Sequence, residues 1–142
     1  MNIETPKLAV DCIVLVPGGV VLIERKYPPL GMAIPGGFVE IGETLEHAAI
    51  REMKEELNLD VKIIGMLGVY DDPDRDPRKH VVSAVFVGTA TEQPVAGDDA
   101  KDAFVWNYND PLPIMVFDHE KILSDFNKAQ LFENDLNQLL NM

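Results

Sequence analysis

The sequence predicts a mixed domain of α/β or α+β class, on three observations. Apolar, β-branched runs of strand length recur along the chain, one segment of helical period lies between them, and an amphipathic segment closes it. "KLAVDCIVLVP" and "GVVLIERK" are divided by Pro17-Gly18-Gly19, which predicts strand, turn and strand. "YPPLGMAIPGG" is punctuated by Pro and Gly and reads as loop, with a short extended piece at Met32 to Ile34. From Thr44 to about Leu57 helix formers dominate. Thr44 is the expected N-cap, and Leu45, Ala49, Met53 and Leu57 step by four along one apolar stripe.

"VKIIGMLGVY" reads as a strand, bulged at Gly65 or Gly68. "DDPDRDPRK" is a charged, proline-broken loop, "HVVSAVFVGTA" a further strand, and "PVAGDDAKD" a turn-rich loop before a short strand at "AFVWNY". The tail from His119 to Leu140 spaces Ile122, Phe126, Ala129, Phe132, Leu136 and Leu139 three or four apart. Periodicity leaves open whether that helix packs on its own domain or across a homodimer. No repeat, linker or low-complexity tract interrupts residues 1–142, which read as one domain with a sizeable core.

Composition excludes several function classes. The net charge is -12, from 24 acidic and 12 basic residues. Nucleic acid and anionic membranes are therefore not expected partners, because neutralising phosphates takes an excess of Lys and Arg. Cys12 is the only cysteine, so no intrachain disulfide and no Cys-based zinc site is available, and a buried small hydrophobe is its expected role. The polar "MNIETPK" start is unlike a targeting peptide, and no apolar run has the length of a membrane span. A reduced, cytoplasmic setting is expected.

The chemistry centres on "REMKEEL". Glu52, Glu55 and Glu56 fall on one side of a helix and repel one another, which poses the question of what compensates them. Taken alone, the segment is an ordinary solvated face with an Arg51–Glu55 pair. Its context is "GGFVEIGETLEHAAIREMKEELNL", where Glu43 lies six residues past Gly37 and Arg51-Glu52 lies eight past Glu43. This stretch resembles the signature of the Nudix hydrolases. Gly37, Glu43, Arg51, Glu52, Met53, Glu55, Glu56 and Leu59 match at the required spacing. Asn58 stands where the pattern has glycine. It is the non-glycine residue that best tolerates the left-handed conformation closing a helix.

The resemblance implies a Nudix-like α/β/α sandwich with a mixed central sheet. It also implies an enzyme hydrolysing the diphosphate bond of a nucleoside diphosphate derivative. Glu52, Glu55 and Glu56, with the carbonyl of Gly36, become ligands for Mg²⁺ or Mn²⁺, whose preference is for hard oxygen donors. Arg51 is expected to fix the carboxylates by pairing with Glu55 or Glu43. Glu43 reads either as a minor ligand or as a charge favoured by the helix N-terminus. Glu52, Asp98 and Asp99 are candidates for the base that takes the proton of the attacking water, with a solvated turn as the alternative for Asp98 and Asp99.

A second stretch, "GVYDDPDRDPRKHVVSAVF", contains a Pro-x-Arg-Asp-Pro-Arg-x-His core that resembles a segment of ADP-ribose pyrophosphatases. Arg75 and Arg78 are candidate phosphate contacts. The alternative is local pairing with Asp71, Asp72, Asp74 and Asp76. Arg25 and Tyr27, shortly before the glycines, are candidates for a phosphate contact and for base stacking, with packing as the alternative for Tyr27 and Trp106. His80 has no metal-ligand partner at useful spacing, and His47 and His119 are isolated, so zinc is not expected. ADP-ribose is the expected substrate, giving AMP and ribose 5-phosphate. A nucleoside triphosphate or dinucleoside polyphosphate is the alternative, and a non-catalytic ADP-ribose-sensing regulator is the reading of another class.

Overall fold

The computed structural model describes residues 3–97 and 100–140, with side chains through residue 130. Seven strands and two helices follow in the order β1 Lys7–Val16, β2 Gly19–Arg25, β3 Met32–Ala33, β4 Gly36–Phe38, α1 Leu45–Leu57, β5 Lys62–Tyr70, β6 Val81–Thr89, β7 Ala100–Trp106 and α2 His119–Leu140. The sheet is mixed. Its main path runs β3-β2-β1-β6-β5, with β4 also paired to β1 and β7 to β2. β1 and β6 are parallel over nine register pairs, from Lys7 with Val81 to Leu15 with Thr89, and the other pairings between these strands are antiparallel.

Alternation along the central strands sorts the core into two layers. Val10, Cys12 and Val14 of β1, with Ala84 and Phe86 of β6, pack against Ala48, Ala49, Met53 and Leu57 of α1. Ile13 of β1 and Val85 and Val87 of β6 pack against Ile122, Leu123 and Phe126 of α2. One helix therefore covers each face, which is the α/β/α sandwich. Cys12 is fully buried, and burial, reinforced by the neighbouring Asp11, pushes its thiol pKa up to about 12.

Both ends of α1 follow from local chemistry. The Thr44 hydroxyl accepts from the His47 N–H at 3.1 Å, satisfying a donor the helix leaves open. At the other end Asn58 adopts φ 56° and ψ 34°, and its N–H returns to the Lys54 carbonyl at 3.0 Å. The Asn58 side chain also donates to the Val95 carbonyl at 2.9 Å, tying the helix end to the loop before β7. β5 is bulged beside both Gly65 and Gly68, as its sequence predicts.

Three expectations shift. Gly36 and Gly37 belong to a short strand rather than a loop, because β1 supplies a free edge to pair them. β7 begins at Ala100, earlier than its apolar residues indicate, since pairing with β2 stabilises the polar Lys101 and Asp102 in extended form. Ala129 is exposed, and Leu123 takes its place on the buried side of α2. The side chains of Phe132, Leu136 and Leu139 lie outside the described residues.

Candidate active site

The edge of β1 is shared. β2 pairs with its far end, Leu15 and Val16, while β4 pairs with Ala9, Val10 and Asp11. Around this fork lies a cavity of about 480 Å³, bounded by β1, β2, β4, α1 and the segment leading into α2. Glu52, Glu55, Glu56 and Arg51 line it together with Arg25, Tyr27, Arg75 and Arg78, so segments far apart in sequence meet in one space.

Arg51 organises the acidic side. Its Nε–H and one Nη2–H form a fork onto Glu43 at 2.7 and 2.8 Å. Nη1 donates to Glu52 at 2.9 Å and to Glu55 at 3.2 Å, and Nη2 also reaches the Phe38 carbonyl at 3.1 Å. The hydrogen bonds it donates to Glu43 in particular raise the pKa of the guanidinium. In return Arg51 holds the Glu43 carboxyl at a pKa of about 2, with the Glu40 N–H also contributing. Arg51 thus pairs with both residues between which the sequence left a choice, and Glu43 also receives His47 at 3.0 Å.

The glycines seat the carboxylates. The Gly36 N–H donates to Glu56 Oε2 at 2.9 Å. A Cβ on Gly37 would collide with the Glu52 carboxylate, and one on Gly36 would collide with Asp11 and the Val10 carbonyl. Only glycine permits this approach. Among the described residues no three acidic, His or Cys side chains close on one point, because Arg51 draws Glu52 and Glu55 towards itself. The donors are nonetheless hard carboxylate and carbonyl oxygens beside an open cavity, which is the set that Mg²⁺ and Mn²⁺ take and that zinc does not favour. Asp98 and Asp99 lie outside the described residues.

The opposite wall is cationic. Arg25 donates through Nε to the Pro29 carbonyl at 2.8 Å, and its guanidinium lies 5.1 Å from the centre of the Phe117 ring. Arg78 lies 5.5 Å from the same ring. Phe117 is held at φ 55°, an unusual conformation for a bulky side chain. Arg78 is forked onto Asp76 at 3.0 and 2.8 Å, the local pairing anticipated for this loop. Among the described residues no carboxylate comes within ion-pair distance of Arg25. Burial and the nearby charge of Arg78 lower the Arg25 pKa. Tyr27 is exposed at the rim, with Lys26 above its ring.

Two sequence expectations are corrected. Arg75 is buried, and its fork closes on Asp118 at 2.9 and 2.7 Å, so neither a free phosphate contact nor the four nearby aspartates describes it. His119 is not isolated. Its Nδ1 accepts from the Ile34 N–H at 2.9 Å, and burial lowers its pKa. Sequence reasoning missed Asp11, Ser83, Phe117 and Asp118 altogether. The one signal available for Asp11 was a charged residue at mid-strand in an otherwise apolar run.

Comparison with known proteins agrees with this architecture. A family model described as NUDIX domain matches residues 5–126. The chain is 49% identical over 124 residues to the ADP-ribose pyrophosphatase of Methanocaldococcus jannaschii, covering 85% of this chain and 73% of that protein. A MutT/nudix family protein from Enterococcus faecalis shares the fold with a TM-score of 0.80 at 28% identity, covering 91% of this chain and 64% of that one. A bifunctional NMN adenylyltransferase/ADP ribose pyrophosphatase from Francisella tularensis, solved with AMP and a Mn ion, gives 0.81 at 27% identity, covering 91% and 43%. This chain therefore spans less than two thirds of those two solved chains. The chain belongs to the Nudix hydrolase family. Within that family it is an enzyme of the pyrophosphohydrolase kind.

Proposed function

We propose that residues 1–142 form one Nudix domain that hydrolyses ADP-ribose to AMP and ribose 5-phosphate with Mg²⁺ or Mn²⁺. The observation that carries this reading is the polarity of the cavity. A carboxylate cluster on α1 faces the Arg25–Phe117–Arg78 wall, and among the described residues no carboxylate is within ion-pair distance of Arg25. A diphosphate needs cations on the acidic side and is received by guanidiniums on the other. The similarity to an ADP-ribose pyrophosphatase at 49% identity supports the choice of substrate.

Glu52, Glu55, Glu56 and the Gly36 carbonyl are the residues assigned to hold the metal. When bound, it withdraws charge from the phosphoryl oxygens and acidifies the attacking water. Arg51 keeps Glu52 and Glu55 oriented, and Glu43 anchors Arg51 rather than contacting substrate. Glu52, against Gly37, is the described candidate to accept the water's proton. One P–O bond of the bridge breaks, the water oxygen joins one phosphorus, and the bridging oxygen leaves with the other. Arg25 and Arg78 are assigned to the anionic substrate and Tyr27 to its rim. Arg75 is assigned to holding α2 in place.

The test is product release from ADP-ribose, nucleoside triphosphates and dinucleoside polyphosphates, with Mg²⁺, with Mn²⁺ and with chelator. AMP formed from ADP-ribose with the highest kcat/KM, and abolished by chelator, is the expected result. Higher kcat/KM for a triphosphate replaces the substrate assignment. Glu52→Gln or Glu56→Gln retaining full metal-dependent turnover refutes the site.

The reading extends to a cytoplasmic homodimer. Among the described residues no strand pairs with the outer edge of β5, and Ile64, Met66 and Val69 of that strand are exposed, a surface suited to a second copy. Sedimentation at a monomer mass refutes that part. Among the described residues no helix is long and apolar enough to cross a membrane.

A further inference from the structure

The cavity contains a pair of groups that the diphosphate chemistry leaves unused. Asp11 of β1 is 8% exposed, and His119, the first residue of α2, is 3% exposed; both line the cavity. Their orientations are fixed from behind. The Ser83 hydroxyl donates to Asp11 Oδ2 at 2.5 Å. The Ile34 N–H occupies Nδ1 of His119 as a donor, so the proton of the neutral ring sits on Nε2. That Nε2–H lies 3.9 Å from Asp11 Oδ2, beyond hydrogen-bond reach, and has no other hydrogen-bond partner among the described residues. Among the described residues no buried side-chain nitrogen or oxygen lacks a hydrogen-bond partner, so this N–H opens into the cavity, with a fixed acceptor beside it.

A fixed acceptor and a fixed donor side by side match a group that gives one hydrogen bond and takes another. A hydroxyl does both: its proton goes to the carboxylate and its lone pair receives the imidazole N–H. A phosphate oxygen has no proton to give and would face the Asp11 charge at close range. Arg25 and Arg78 supply the contrasting environment on another wall of the same cavity. We propose that Asp11 and His119 form a subsite for one hydroxyl of the substrate's sugar, with Ser83 and the Ile34 N–H as positioning groups. This deepens the proposed function and rests on its sugar-bearing diphosphate substrate. It favours a sugar-linked nucleoside diphosphate because the subsite selects for a neutral hydroxyl and against an added phosphate.

The test compares kcat/KM and calorimetric Kd for ADP-ribose and for analogues each lacking one ribose hydroxyl, beginning with the unaltered protein. One analogue is expected to lose about tenfold to a hundredfold, the range for a hydrogen bond involving a charged group. Asp11→Asn and His119→Asn are expected to lose a similar factor on ADP-ribose. The latter places an amide oxygen near Nδ1 for Ile34 while removing Nε2–H. On the sensitive analogue the same variants should cost less than about threefold further, because the hydroxyl they serve is already gone. Equal losses on every analogue, or no analogue losing more than about threefold with the unaltered protein, overturn the subsite. If ADP-ribose binds but is not cleaved, the hydrolytic reading fails, and the same comparison of Kd values still decides for or against the subsite.

Discussion

Replacing Arg75 by Ala separates two roles that its sequence context cannot distinguish. In the structure its Nε–H and Nη2–H close a fork on Asp118, and its Nη1 reaches the Val81 carbonyl at 3.5 Å. The side chain is 4% exposed and that of Asp118 is 18% exposed. Deleting one partner of a buried pair costs about 3–5 kcal/mol, mostly because the other charge is stranded. Two features favour the low end here. Asp118 keeps some contact with water, and it immediately precedes α2, where the positive end of the helix dipole favours a carboxylate. The expected loss is about 3 kcal/mol, or roughly 10 °C in Tm for a chain of this size. Urea and thermal denaturation of Arg75→Ala measure it. Arg75→Met with Asp118→Leu should recover at least about half of the loss, since no orphan charge remains. A loss below about 1 kcal/mol, with KM raised tenfold or so, would refute this reasoning and make Arg75 a substrate contact.

Three further outcomes are expected. Gly37→Ala should lower kcat at least about tenfold with a smaller effect on KM, because the added methyl displaces the Glu52 carboxylate; steady-state kinetics with an unchanged kcat would contradict the seating role. Glu43 has a folded pKa of about 2 against an ordinary 4.5, so its stabilising contribution is complete above the ordinary value and is lost as pH falls towards 2. Glu43→Gln should accordingly flatten the acid limb of a stability-versus-pH curve in that window, and an identical acid limb would count against the Arg51 pairing. Asn58→Gly should leave kcat unchanged and alter Tm little, since glycine eases φ 56° but gives up the bond to Val95; a large change in kcat would show that the position does more than close the helix.

What the chain disclosed by inspection was local. The helix from Leu45 to Leu57, its Thr44 cap, its left-handed Asn58 and the grouping of Glu52, Glu55 and Glu56 all depend on residues within a few turns of one another. The alternating strands were legible because burial on a sheet repeats every second residue. The Arg51 partners were legible in part: Glu55 and Glu43 were both expected, while the bonds to Glu52 and to the Phe38 carbonyl were not.

The remainder was decided by the tertiary structure. Arg75 meets Asp118 across 43 residues and Ile34 meets His119 across 85, and no periodicity registers such distances. Phe117 finds two arginines because β2 and the loop after β5 converge on the segment entering α2. Asp11 reaches Ser83 because β1 and β6 run parallel, a pairing available only once α1 and β5 have carried the chain across the sheet. Sequence by itself thus determined the acidic helix and its caps, where neighbours along the chain are neighbours in space. The cationic wall and the Asp11–His119 pair were set by strand pairing and helix docking, which bring together residues that the chain keeps far apart.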